Sequence, residues 1–147
     1  QVRLDIAQAA AQQLKEVGID CTVEVPTEVD WGGQMAYLIG WGSPFDADDH
    51  TYKVFGTDKG ANYSSYSNAL VDQYLIEARE SADPAVRAEA YDKFQEELAK
   101  DPAFTFICYI DANYVANSSI QGISADTVMG HHGVGIFWNV ADWTIGN

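Results

Sequence analysis

The sequence predicts an α/β fold, a mixed sheet flanked by helices, on three observations. Apolar residues recur at helical spacing in three separate stretches of the chain. Between and beyond those stretches stand Cys21 to Val25, which alternates apolar and polar residues, and Phe104 to Ile110, a nearly unbroken apolar run. The length of 147 residues, 47% of them hydrophobic, is about that of one domain and suffices to bury a core. Residues 1–147 therefore read as a single unit with no linker and no internal repeat.

The elements follow in order. Ile6, Ala9, Ala10, Leu14 and Val17 mark one face of a helix over 4–17, with Asp5 near its positive end and Gly18 as its stop. Cys21, Val23 and Val25 alternate with Thr22 and Glu24 until Pro26 closes the strand. A turn or short helix over 27–33 leads to a short apolar strand over 36–41, broken by Gly40-Trp41-Gly42. An acidic loop reaches Asp49, a helix covers 50–55, and Gly, Asn and Ser punctuate an irregular stretch up to Asn68.

Asn68 is a good N-cap for a helix to about Ser81, with Val71, Tyr74, Leu75 and Ala78 on its inner face. Asp83 as cap and Pro84 at the first helical position start the next, over 84–100, with Val86, Ala90, Tyr91, Phe94 and Leu98 inward. Its outer face offers two pairs four apart, Glu89 with Lys93 and Glu96 with Lys100. Residues 104–110 read as a strand buried on both faces, Asp111-Ala112 as a tight connection and 113–117 as a partner strand. A further strand is expected at 135–139.

Twenty-two acids against eight bases give a net charge of −14, a surface that repels phosphate backbones and anionic headgroups. Nucleic acid is therefore not an expected partner. The apolar run from Phe104 to Ile110 falls far short of the roughly 20 residues that span a bilayer. Gln1 to Leu14 lacks the basic segment and apolar core of a secretory signal, and the chain reads as a piece of a longer one. Cys21 and Cys108 each sit in a strand-like segment as a small buried hydrophobe, a bridge between them being the alternative in an oxidising compartment.

No nucleophile elbow, phosphate loop, Cys-x-x-Cys or His-Glu-x-x-His occurs, so no catalytic set is expected. Asp46-Ala-Asp48-Asp49-His50 admits three readings: a helix cap in which Asp48 or Asp49 satisfies free N–H groups, a ligand-facing anchor, or a metal site. The calcium-loop template fails, because Thr51 and Thr57 stand where it needs Gly and Glu. An acidic metal-dependent hydrolase using Asp46, Asp48 and His50 is the alternative of another class. His131 and His132 are adjacent and point to opposite sides of an extended chain. Trp41, between two glycines at a strand end, either presents its ring over a surface or belongs to the core. Tyr63 and Tyr66 carry the same ambiguity. Asn62 and Asn117 match the glycosylation pattern, which means little without a glycosylating host.

Leu14-Lys-Glu-Val-Gly-Ile19, Leu38-Ile-Gly-Trp-Gly-Ser-Pro-Phe-Asp46, Asn62-Tyr-Ser-Ser-Tyr-Ser-Asn-Ala-Leu-Val-Asp72, Ala82-Asp-Pro-Ala-Val-Arg-Ala-Glu-Ala-Tyr91 and Trp138-Asn139 occur in this order. Together they closely resemble the extracytoplasmic solute-binding proteins of ABC importers, in the oligopeptide, dipeptide and nickel class (family 5). The resemblance covers nearly the whole chain. It implies one lobe, the C-terminal one, of a two-lobed type II periplasmic-binding-protein fold, with the first lobe and signal sequence absent. It also implies a monomer without enzymatic activity or cofactor, periplasmic or extracellular, lipid-anchored through the missing N-terminus, that captures a small peptide or other small solute such as nickel for a membrane permease. By the same resemblance Gly40, Trp41, Gly42, Ser43 and Phe45 line the cleft, and Asp46 or Asp48 anchors the solute, the family's usual anchor position being held by Pro44. Trp31 to Ala36 is shorter than the family's helix and turn. Exposed apolar surface is expected around Trp41 and Phe45.

Overall fold

Helix α1, Val2–Glu16, carries Asp5 in its first turn and Lys15 in its last, each matched to the dipole. Gly18 ends it at φ +86°, the left-handed conformation that glycine adopts without a Cβ penalty. There the Gly18 N–H donates to Lys15 O and the Ile19 N–H to Leu14 O, both at 3.0 Å, the paired closure of a Schellman motif. The computed structural model describes residues 2–31, 33, 35–42, 46–111, 113–124 and 135–146. They divide into two units, 1–40 and 41–147.

In the first unit no residue of α1 is buried, and Leu14 and Val17 on its apolar stripe are exposed. The strand expected over 21–25 and the 36–40 part of that expected over 36–41 are extended chain without a ladder among the described residues, and Cys21 is exposed rather than buried. The turn after Asp30 is closed by Gly33 N–H donating to Asp30 O at 3.2 Å, by the Tyr37 hydroxyl donating to the same oxygen, and by Trp31 against Tyr37.

The second unit is built on three helices, α2 (Ala47–Phe55), α3 (Ala69–Glu80) and α4 (Pro84–Lys100). Each starts on a polar cap. Asp46 accepts from Asp48 N, Asn68 from Leu70 N and Val71 N, and Asp83 from Ala85 N ahead of Pro84. The α2 cap is thus Asp46, one turn earlier than expected, because the helix itself starts at Ala47 rather than His50.

Helices α2 and α4 both pack on α3. Val71, Leu75 and Ala78 of α3 and Ala90, Phe94 and Leu98 of α4 face inward, as their spacing predicts, with Val54 of α2 and Tyr66. Each such side chain of Val, Leu or Phe size stabilises the fold by about 1.5–3 kcal/mol through burial. Phe55 extends this core, its ring 5.4 Å from Phe94 and 5.7 Å from Phe104. Val86, at the start of the α4 stripe, is exposed. On the outer face of α4, Lys93 pairs with Glu89 at 2.7 Å, but Lys100 pairs with Glu97 rather than Glu96.

Beyond Phe104 the expected two-sided burial does not occur. Phe106, Ile107, Tyr109 and Ile110 are exposed, Cys108 with them, and residues 113–117 are extended without a partner. Among the described residues the sheet is a single antiparallel pair, β1 (Ile120–Gln121) with β2 (Thr144–Ile145). A strand leaves all of its backbone groups for neighbours to satisfy, and an apolar strand needs a layer on each face. The described residues provide neither for 104–110. The strand expected at 135–139 is instead a 3-10 segment, Gly135–Asp142, kinked at Asn139. Asn139 earns that kink's place: its Nδ2 donates to Gly122 O and its Oδ1 accepts from Trp143 Nε1, both at 2.9 Å. No described helix is long and apolar enough to cross a membrane. The helix-rich chain with its small sheet fits an α/β fragment.

Candidate functional site

The boundary between the two units falls between Gly40 and Trp41. Within the first, Gly40 is approached by the Arg3 guanidinium, so a Cβ at that position would lie 2.7 Å from Nη2. Within the second, Trp41 is 41% exposed and stands outside the core. One face of its indole lies nearly parallel to the Tyr63 ring, 9° between planes and 6.3 Å between centroids. The His50 ring meets it at 49° and 5.6 Å. Tyr63 is itself 38% exposed. These spacings are those of favourable aromatic pairs, and together they form a surface that can stack a flat apolar group or hold a cation. Ser43, Pro44, Phe45, Ala112, His131 and His132 lie outside the described residues.

The acids next to this surface are paired. Asp46 receives Arg87 Nη2 on both carboxylate oxygens at 2.7 Å, and its helix-capping bond to Asp48 N is 2.8 Å. The Asp48 N–H first and Arg87 second hold the Asp46 carboxyl below its ordinary range, while Asp46 raises Arg87 in turn. Arg87 also donates Nη1 to Ala78 O at 2.9 Å, so one guanidinium joins the start of α2 to the end of α3. Asp48 pairs with Arg79 at 3.1 Å, and Arg79 lies 3.8 Å over the Tyr52 ring. Asp49 takes Lys53 at 3.0 Å, which lowers its carboxyl. A shallow hollow lined by Asp46, Asp48, Asp49, Tyr52, Lys53 and Arg79 lies in this network and does not include Trp41.

The hydrolase alternative needs Asp46, Asp48 and His50 to converge. They meet instead Arg87, Arg79 and the Trp41 ring, with His50 also 3.6 Å from Asp49. No group of three His, Cys, Asp or Glu side chains among the described residues could hold a metal ion.

Tyr63 is carried by an irregular loop that Asn62 organises. Asn62 Nδ2 donates to Gly56 O at 2.9 Å and Tyr66 O at 2.7 Å, and its Oδ1 accepts from Tyr66 N at 3.0 Å and Ser64 Oγ at 3.2 Å. An Asn side chain engaged in this way is a structural tie. Asn117 is used similarly, its Oδ1 accepting from Ser119 N at 2.9 Å.

No family model matches the chain. Protein XP55 of Streptomyces lividans is 36% identical over 130 residues, 84% of this chain and 24% of that protein. The oligopeptide-binding protein AppA of Bacillus subtilis strain 168 is 26% identical over 156 aligned residues, 97% of this chain and 27% of AppA. The crystal structure of NikZ from Campylobacter jejuni in complex with Ni(L-His) superposes with a TM-score of 0.79 at 33% identity, covering 96% of this chain and 30% of that one. Homologues of this chain thus include AppA and NikZ, both family 5 solute-binding proteins, and the chain matches a part of each.

It spans about a quarter of the length of the curated relatives it matches. The match to NikZ runs along nearly the whole of this chain. The sequence singles out Trp41 but does not show Tyr63 and His50 beside it or Arg87 on Asp46. The sequence does hold a signal for Tyr63. Asn62-Tyr-Ser-Ser-Tyr places a tight-turn asparagine directly before an aromatic residue.

Proposed function

We propose that this chain is the C-terminal lobe of a two-lobed solute-binding protein, the substrate-capturing component of an ABC importer working outside the cytoplasmic membrane. The observation that carries the reading is the half-exposed Trp41 indole stacked on Tyr63, in a chain that matches a quarter to a third of each relative. Gly40, Trp41, Gly42, Ser43 and Phe45 form one wall of the cleft, and the wall's backbone pairs with an extended peptide as an added strand does. A solute contacting both lobes shifts them from open to closed, the state a permease senses. The protein works as a monomer in the periplasm or at the cell exterior, held there by a lipid anchor, and performs no chemistry on its cargo.

The solute is an oligopeptide or dipeptide. The name of AppA supports a peptide, and the nickel complex held by NikZ supports a nickel chelate as the second reading. An ammonium seeking Asp46 or Asp48 has to share it with Arg87 or Arg79, so an amine anchor at these positions operates through a displaced ion pair. The two-lobe reading is tested by titrating trialanine and Ni(L-His) calorimetrically into the 147-residue chain and into the full-length gene product. Binding is expected in the full-length protein and no measurable heat in the chain alone. Micromolar or tighter binding by the chain alone would show that one lobe suffices and overturn the reading.

A further inference from the structure

Tyr63 lies outside every helix, yet its ring is within 9° of parallel to the Trp41 indole. Such an alignment between two exposed rings requires a rigid backbone beneath at least one of them. The loop under Tyr63 has that rigidity. Ser65 and Asp58 adopt left-handed φ of 55° and 56°, which non-glycine residues hold only where surrounding bonds over-determine them. The turn also needs Gly56, since a Cβ there would sit 2.6 Å from Tyr52 O. The Asn62 side chain spans this loop from Gly56 O to Tyr66, using both of its N–H donors and both acceptor positions of its oxygen.

We infer that Asn62 is a positioning residue of the solute site: it fixes the loop so that the Tyr63 ring lies nearly parallel to the Trp41 indole and, with the His50 ring, limits the part of the indole that a solute can reach. Tyr63 thereby becomes a specificity residue, because it decides which indole face, and how much of it, a flat or aliphatic solute group can reach. The solute part of this inference rests on the proposed function. The positioning part stands on the geometry alone. It also gives the Asn62-x-Ser64 match a structural meaning, since a glycan on Nδ2 would leave one N–H for the two bonds made to Gly56 O and Tyr66 O.

The test is fluorine NMR on the 147-residue chain with its four tryptophans replaced by 5-fluorotryptophan. Trp41→Phe identifies the Trp41 resonance by its loss. Tyr63→Ala, a change at an exposed side chain, is expected to move that resonance by removing the ring beneath it and to leave the other three in place. Asn62→Asp keeps the oxygen acceptors but cannot donate to Gly56 O and Tyr66 O. It is expected to move the Trp41 resonance in the direction Tyr63→Ala does, with the helical circular dichroism unchanged. Asn62→Ser, which retains one donor, is expected to move it less.

An unmoved Trp41 resonance in Tyr63→Ala overturns the pairing of the two rings. A Trp41 resonance that responds to Tyr63→Ala but not to Asn62→Asp overturns the role of Asn62. Loss of helical signal in both Asn62 variants makes Asn62 a folding residue and equally overturns it. None of these outcomes depends on a solute, so a failure of the proposed function is read separately, from solutes that leave Trp41 undisturbed in the full-length gene product.

Discussion

The helical stretch Ala47–Lys100 and the stretch after Phe104 lie in the same unit, and the second is the more apolar, yet the first is ordered around a core and the second is extended in solvent. A helix closes its backbone hydrogen bonds within itself and needs company only for one face. Here Asp46, Asn68 and Asp83 cap the three helices, and Leu75, Phe94 and Leu98 give them one another. A strand brings neither its own hydrogen-bond partners nor its own packing layers. The segment from Phe104 to Ile110 carries the pattern of a central strand in a chain that spans about a quarter of its curated relatives, and beyond Phe104, which meets Phe55, the described residues offer it no strand partner.

The contrast is sharpened first by amide exchange, where the largest effect is expected. Amides on the inner faces of α3 and α4 should exchange on the order of a thousandfold more slowly than those of residues 106–110, since the former open with the unit and the latter are already open. Equal protection in both would mean that the 104–110 segment finds a ladder in solution. Next in size, Phe94→Ala should cost about 3–5 kcal/mol in denaturant unfolding, because Phe94 is buried against Phe55 and inside the main cluster. A loss near zero would show that α3 and α4 do not share a core.

The smallest effect concerns acid. Asp46 has its carboxyl lowered in the folded chain, so the stability it contributes is present above the ordinary carboxylate value and is lost as pH falls through the folded one. Asp49 and Glu89 are lowered as well and share that acid limb. Arg87→Met should therefore shallow the loss of stability at low pH without abolishing it, as followed by thermal melts at stepped pH. An unchanged slope would mean that the Asp46–Arg87 pair has no energetic weight.

Much of the fold was legible in the sequence where local chemistry decides it. Gly18 ends α1, Asn68 and Pro84 start their helices, and Val71, Leu75, Ala90, Phe94 and Leu98 are inward as their spacing says. The α/β class was legible too, but the sheet was read from 21–25, 104–110 and 135–139, whose patterns describe an intended environment rather than a supplied one. Cys21 and Cys108 were misplaced for that same reason: their burial was inferred from strands that have no partner here.

At the site, a glycine-flanked tryptophan announced itself. Its neighbours could not, because Tyr63 and His50 reach Trp41 only through the loop that Asn62 ties and the helix that Asp46 starts. Arg87 was equally invisible, since its pairing with Asp46 spans 41 residues that no local pattern connects. The sequence left Asp46, Asp48 and Asp49 between a helix cap, a ligand-facing anchor and a metal site. The structure supplies each with a cation.

The most direct measurement of the central claim, that the indole of Trp41 is a wall of the solute cleft, is a calorimetric titration of the full-length gene product with trialanine and Ni(L-His), comparing Trp41→Ala with Trp138→Ala. Both tryptophans are 41% exposed, so loss of surface apolar area is matched between the variants. Trp41→Ala is expected to weaken binding of the probe about tenfold, the scale on which an aromatic contact worth ~1.4 kcal/mol registers, while Trp138→Ala leaves it unchanged. Equal affinities in the two variants and the parent would contradict it.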